Sequence, residues 1–239
     1  MCGRYVAVTP PEELASYFSA SLSPELEAEF RPSWNVPPTT RVAAVTAGAE
    51  GDRLLAPYRW GLVPSWAKGL SFGANTVNAR AESIATKASF RSAFRSRRCI
   101  IPADGYYEWR TTSGEVKQPY YFTRADGAPL AFAGLWEAWR PPVGPDELVG
   151  WVLTCAIVTT EAGADVQEIH TRMPVILEPG DLWDVWLDPE LHDPHELGSL
   201  LRPATAGTLL RRRVAKAVGS VRNDSPALID EVLESPSLF

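Results

Sequence analysis

The hydrophobic pattern changes period repeatedly along the 239-residue chain, and strand-like runs outnumber helical ones. Cys2–Val8 reads as a short strand. Thr9-Pro10-Pro11-Glu12 looks like a helix start: a hydroxyl, proline in the first turn, then an acid. Leu14, Tyr17 and Phe18 follow at helical spacing and carry that helix to about Ala20. A second short, acidic helix is expected over Ser23–Phe30. Arg31–Thr40 (RPSWNVPPTT) reads as a stiff, proline-rich loop. Arg41–Thr46 and Arg53–Trp60 flank the turn Ala49-Glu50-Gly51-Asp52 as a hairpin.

Further along, a helix carries Phe90, Ala93 and Phe94 inside, with Arg91, Arg95, Arg97 and Arg98 outside. Cys99–Trp109 is a strand interrupted by Pro102 and Gly105, the mark of a bulge. A turn over Thr111–Gln118 returns the chain through Pro119–Thr123. Leu130–Trp139 and Trp151–Thr160 are the most apolar strands, separated by a Pro/Gly loop. A short helix over Glu161–Ile169 ends at His170, followed by a strand at Met173–Leu177. Helices are expected over Asp181–Leu187 and Pro194–Leu201, a strand over Thr208–Val218, and a last helix from Asn223 to Leu233. Strands linked by turns rather than by regular helical crossovers point to an α+β fold with a largely antiparallel, curved or barrel-like sheet core and flanking helices. No internal repeat or linker divides the chain, so residues 1–239 are read as a single domain.

With 45% hydrophobic residues the chain has material for a core, and nine Trp supply large apolar faces with an N–H to satisfy. Net charge is −6 and the pI about 5.2, which argues against binding nucleic acid through bulk charge and leaves room for a local basic groove. The three cysteines (Cys2, Cys99, Cys155) are odd in number and widely spaced, forming no disulfide framework and no Cys-x-x-Cys motif. With no apolar stretch suited to a signal peptide or a membrane span, the expectation is a cytoplasmic protein without membrane contact. The three cysteines and three histidines lack ligand spacing, so no metal and no cofactor is expected.

Candidate chemistry begins at Met1-Cys2-Gly3-Arg4-Tyr5. Aminopeptidases remove an initiator Met that precedes a small residue. Cys2 would then carry an α-amine, with an ordinary pKa of about 7.7–8.0, beside a thiol. Such a 1,2-aminothiol captures an aldehyde first as an imine and then as a thiazolidine ring. Alternatively, Cys2 is a small buried residue opening a strand. Asn78, Glu108 and His170 are further polar groups in apolar surroundings. Each also reads plainly, as a turn or cap residue, a strand-surface acid and a helix C-cap. Arg4, Arg80 and Arg172 read equally as surface charges.

Taken together, the motifs MCGRY (1–5), WGLVPSW (60–66), NARAE (78–82), CIIPADGYYEW (99–109), FAGLWE (132–137) and RMPVIL (172–177) after His170 resemble the SRAP family (SOS response-associated peptidase). The resemblance runs from about residue 2 to 224 and implies a single β-rich domain. The function it implies is a sensor of abasic sites in single-stranded DNA that forms a thiazolidine DNA–protein crosslink through Cys2 and shields the lesion. It gives Glu108 the role of acid/base in sugar-ring opening and imine formation. His170 becomes a second donor, and Asn78 orients the amine or the sugar oxygen. Arg4, Arg80 and Arg172 would hold phosphates on one face with some of Arg91–Arg98, away from the acids. Trp66 and Trp109 would stack on bases, the Asn35–Pro38 loop would wedge against duplex, and Thr159 would contact the backbone. A monomer is expected, with lyase-type β-elimination as a side reaction. Rival readings are a thiol peptidase or autopeptidase using the N-terminal cysteine as nucleophile, and a non-covalent single-strand-binding module.

Overall fold

The computed structural model describes residues 2–111, 117–141 and 150–233. Most of the turn expected over Thr111–Gln118 and of the loop expected over Arg140–Asp146 lies outside the described residues, as do Met1 and the tail beyond Leu233. The elements in chain order are β1 (Tyr5–Ala7), α1 (Pro11–Tyr17), β2 (Ser21–Leu22), α2 (Pro24–Glu29), β3 (Ser33–Val36), β4 (Arg41–Ala47), β5 (Arg53–Trp60), β6 (Asn78–Arg80), α3 (Arg91–Ser96), β7 (Arg98–Ala103), β8 (Gly105–Thr111), β9 (Lys117–Arg124), β10 (Leu130–Trp139), β11 (Val152–Glu161), β12 (Arg172–Pro174), α4 (Asp181–Leu187), α5 (Pro194–Ser199) and β13 (Leu209–Arg213). Short 3₁₀ turns sit at Leu70–Asn75, Lys216–Gly219 and Pro226–Ile229.

The strands form two sheets. One has the order β13-β9-β8-β1-β3 and is antiparallel throughout. The other has the order β12-β11-β10-β7-β4-β5-β2, with β6 added on β11. A parallel pairing of Thr154 and Cys155 with Arg59 and Trp60 joins β11 to β5. The path β11-β10-β7-β4-β5 therefore returns to β11 and closes a barrel, which leaves those strands no open edge along that path. Apart from β11–β5, β11–β6 and β2–β5, every pairing is antiparallel, in line with the α+β expectation. Among the described residues, no helix is long and apolar enough to cross a membrane.

Buried side chains from both sheets merge in one cluster. Cys2, Tyr5, Tyr106 and Phe122 come from the five-stranded side, and Val42, Trp60, Cys99, Phe132 and Cys155 from the barrel. Tyr5 fixes the junction with edge-on contacts to Trp60 (centroids 5.3 Å apart) and Phe132 (6.2 Å). A second cluster lies under the helices, where Leu14, Phe18, Phe94, Trp183 and Trp186 meet the barrel wall.

Several expectations change. The bulge expected within Cys99–Trp109 is a change of sheet: β7 belongs to the barrel, β8 to the other sheet, and Asp104 lies between. Ser33–Val36 is not loop but an edge strand on β1, with Tyr5 opposite Val36. Glu161–Ile169 forms consecutive turns rather than a helix, and the final helix shrinks to the 3₁₀ turn at Pro226–Ile229. Arg98 faces inward, only 4% exposed. Its Nε donates to the Trp186 carbonyl (2.6 Å), and its Nη1 donates to the carbonyls of Arg95 (2.7 Å) and Phe94 (3.1 Å). The guanidinium thus satisfies chain-end carbonyls of α3 and α4, so Arg98 cannot join a phosphate-binding face.

Gly105, at the start of β8, has no room for a side chain: a Cβ there would sit 2.5 Å from the Phe122 carbonyl oxygen and from the Tyr121 ring. We expect Gly105→Ala to lower the urea midpoint with the m-value unchanged, at a cost of roughly 2 kcal/mol or more.

Candidate active site

Alternation along β8 (GYYEWRT) sorts its side chains between two environments. Tyr107 joins the apolar group of Tyr121, Val214 and Val218, with Trp109 packed against it. Tyr106 and Glu108 take the opposite face, and Tyr106 packs in the cluster that holds Cys2. Strand β1 runs antiparallel beside β8, with Tyr5 opposite Tyr106, and the Tyr107 amide donates to the Arg4 carbonyl at 3.0 Å. Extending that register brings the Cys2-Gly3 segment alongside Glu108-Trp109.

Asn78 reaches this point from β6, which lies parallel to β11 with Asn78 opposite Ile157. Its Nδ2 donates to the Cys2 carbonyl at 2.8 Å, while its Oδ1 is buried and has no hydrogen-bond partner. His170 comes from the turns that follow β11, where the His170 amide donates to the Val166 carbonyl (3.0 Å). The Arg172 amide lies 2.9 Å from His170 Nδ1 and the Arg172 carbonyl 3.2 Å from the same atom, so the Arg172 backbone holds Nδ1 and leaves Nε2 facing the site. That nitrogen lies 3.9 Å from Glu108 Oε2. Strands from both sheets and one turn thus bring together Cys2, Asn78, Glu108 and His170.

Burial sets the protonation states. Glu108 is 2% exposed, and desolvation lifts its pKa from 4.5 to about 7. The Cys2 thiol is wholly covered; burial first, then the charge of Glu108, raises its pKa far above the ordinary thiol range. Desolvation holds His170 below its usual value, which favours the neutral ring at neutral pH. A half-protonated carboxyl beside a neutral thiol and a neutral imidazole can both give and take a proton near pH 7. None of the described residues forms a cluster of three or more His, Cys, Asp or Glu suited to a metal ion.

A cleft of about 550 Å³ opens onto the Glu108–His170 pair, lined by Glu108, Trp109, Thr111, Lys117, His170, Lys216 and Gly219. Lys117 and Lys216 carry no signal in the sequence: each is an isolated lysine, Lys216 set among alanines and valines, until the fold places both on the cleft that Glu108 lines. The other candidate residues are placed as follows. Arg80 is exposed at the end of β6, opposite Thr159. Arg172 pairs with Glu82 and donates to the Thr159 carbonyl at 2.8 Å. Thr159 itself is fully buried. Arg4 donates to Asn35 Oδ1 (2.7 Å) and to the Val218 carbonyl (3.1 Å). Asn35, 2% exposed, donates to the carbonyls of Ser220 (3.0 Å) and Asn223 (2.7 Å) and so clamps the segment that follows Lys216–Gly219. Pro38 is half-buried in the turn between β3 and β4. Trp66 is 57% exposed and stands edge-on to Phe72 at 5.1 Å, on a separate cleft with Lys68 and Asn75.

Because the folded state raises the Glu108 pKa, its contribution to stability is fully present below about pH 4.5 and is lost as pH climbs through about 7. We expect Glu108→Gln to be more stable than the parent at pH 8.5, by up to ~3 kcal/mol, with the gain shrinking through pH 7 and gone near pH 4.5. Thermal melts of both proteins across that range measure it.

Residues 1–221 match the family model described as SOS response associated peptidase (SRAP). The abasic site processing protein YoqW of Bacillus subtilis is 38% identical over 231 residues, covering 96% of this chain and 99% of that protein. The abasic site processing protein HMCES of Gallus gallus is 33% identical, covering 84% of this chain and 66% of that one. A crystal structure from Bacteroides thetaiotaomicron shares the fold with a TM-score of 0.84 at 24% identity, covering 97% and 100% of the two chains. The chain belongs to the SRAP family.

Proposed function

We propose that this protein processes abasic sites in single-stranded DNA by forming a covalent thiazolidine crosslink through Cys2 once Met1 has been removed. The observation that carries this reading is the meeting of Cys2 with Asn78 and with a Glu108–His170 pair whose carboxyl titrates near pH 7. The names of the relatives, which identify them as abasic site processing proteins, point to the same lesion.

The chemistry follows from the protonation states. An abasic deoxyribose in its open form presents an aldehyde at C1′. The Cys2 α-amine attacks it, because the thiol is held neutral by burial. The amine gives up one proton to the carbonyl oxygen as the carbinolamine forms; Glu108 in its acid form protonates that hydroxyl, and water leaves to give an iminium ion. The Cys2 sulfur then adds to the iminium carbon. Its proton passes to the Glu108 carboxylate, which restores the acid, and the new sulfur–carbon bond closes a thiazolidine with a neutral ring nitrogen. The net change is loss of one water, with no oxidant or reductant required. The orphaned Asn78 Oδ1 is suited to accept a hydrogen bond from the freed amine. His170, its Nε2 3.9 Å from Glu108 Oε2, is the polar neighbour of the carboxyl. In the cleft, Lys117 and Lys216 supply positive charge for the flanking phosphates, and Trp109 offers a ring face to a base. Arg80 and Arg172 serve the strand on the β6 side, and exposed Trp66 is placed for a more distant base. An imine that fails to close permits β-elimination, so strand scission is a minor product.

On a denaturing gel, single-stranded DNA with one abasic site should give a heat-stable shifted band with the parent protein and none with Cys2→Ala. Cys2→Ser should yield only an adduct trapped by borohydride, because its amine survives without the sulfur. Glu108→Gln should slow adduct formation by about 10²-fold. Peptide turnover without any DNA adduct would support the peptidase reading, and equal non-covalent retention of intact and abasic DNA would support a binding module.

A further inference from the structure

One polar atom beside this site has no role in the fold. The Tyr106 hydroxyl is buried and makes no hydrogen bond, and the residue as a whole is 0% exposed. A buried hydroxyl without a partner costs about 1–3 kcal/mol, and phenylalanine would fill the same space without that cost. The ring is tightly held: it stacks on Phe122 (centroids 5.0 Å apart, planes within 14°) and meets the edge of Phe132 at 5.9 Å. The hydroxyl is therefore fixed in position rather than free to turn toward another partner.

Tyr106 and Cys2 belong to the same buried cluster, and Glu108 follows two residues later on the same face of β8. Burial first, and then its neighbours Cys2, Glu108 and Asp165, raise the Tyr106 pKa, so the phenol stays protonated and remains a donor. Resting on the crosslinking reading above, we propose that the Tyr106 hydroxyl is a hydrogen-bond donor reserved for the Cys2 sulfur during ring closure. The sulfur is a neutral thiol in an apolar cluster, a poor nucleophile until charge develops on it. As its proton leaves for the Glu108 carboxylate, the phenol O–H donates to the growing negative charge and keeps its own proton. The S–C bond then forms at the iminium carbon, and Glu108 is left in its acid form. The donor has little to offer the neutral resting thiol and most to offer the sulfur in the transition state, so it acts on rate rather than on binding.

The test is Tyr106→Phe, which removes one oxygen and leaves the ring packing. Two steps are measured on abasic single-stranded DNA: imine formation by borohydride trapping, and ring closure by the appearance of heat-stable adduct. We expect imine formation and the KM for DNA to stay at parental values, melting temperature to hold or rise, and ring closure to slow about 10- to 100-fold, the loss of one charge-assisted hydrogen bond. Closure at the parental rate would overturn the inference, as would equal slowing of both steps, which marks a packing defect. Should the parent protein form no adduct at all, the crosslinking reading itself falls.

Discussion

A carboxyl group kept almost wholly out of water is the constraint on which the site depends. Glu108 would meet solvent only if the Tyr106 face of β8 were left uncovered. Instead β1 and β9 flank it, and the Tyr106 face of β8 is pressed toward the barrel. Desolvation moves the carboxyl to a pKa of about 7, where acid and base forms coexist. The same environment silences the Cys2 thiol. One physical cause thus does two opposite things: it readies the proton carrier and restrains the nucleophile.

Such an arrangement has to be supported by the rest of the fold. Closure of the barrel through β5 and β11 fixes Trp60 against Tyr5, and Tyr5 fixes the start of the chain. The change of sheet at Asp104 delivers β8 to the far side of the shared core, with Gly105 allowing the close approach to β9. Asn35 ties down the segment behind the cleft, so that Lys216 and Gly219 are presented beside Glu108. Burial of the carboxyl lowers stability at neutral pH and above, a cost of the kind found where function rather than folding sets the residue.

Much of this was legible in the chain. Alternating strands and short turns announced a curved, mainly antiparallel sheet, and the residues at 2, 78, 108 and 170 stood out as polar groups in apolar company. What could not be read was long-range pairing. The period-2 pattern of residues 99–109 is the same whether the strand bulges or changes sheet, because the side-chain alternation survives either way. Ser33–Val36 hid as a strand because its prolines flank rather than enter it, and an edge strand needs only one partner. Arg98 was misplaced because helical spacing carries it outward with Arg91 and Arg95. The chain has already left α3 at that point, and four backbone carbonyls draw the guanidinium inward. Lys117 and Lys216 carried no local signal, being separated by 99 positions and joined only by the pairing of β9 with β13 and the turn beyond it.

Two of the arginines near the site are already engaged. Arg172 is held by Glu82, and Arg4 by Asn35 and the Val218 carbonyl. A phosphate approaching either must compete with a partner in place, so each contact is an exchange rather than a gain, and the overall charge of −6 adds a weak repulsion. In the proposed reading, undamaged strands therefore dissociate readily and the protein is not sequestered on the far larger excess of intact DNA. Selectivity for the lesion then resides in bond formation, available only where a base is missing, and long residence follows from covalency instead of grip.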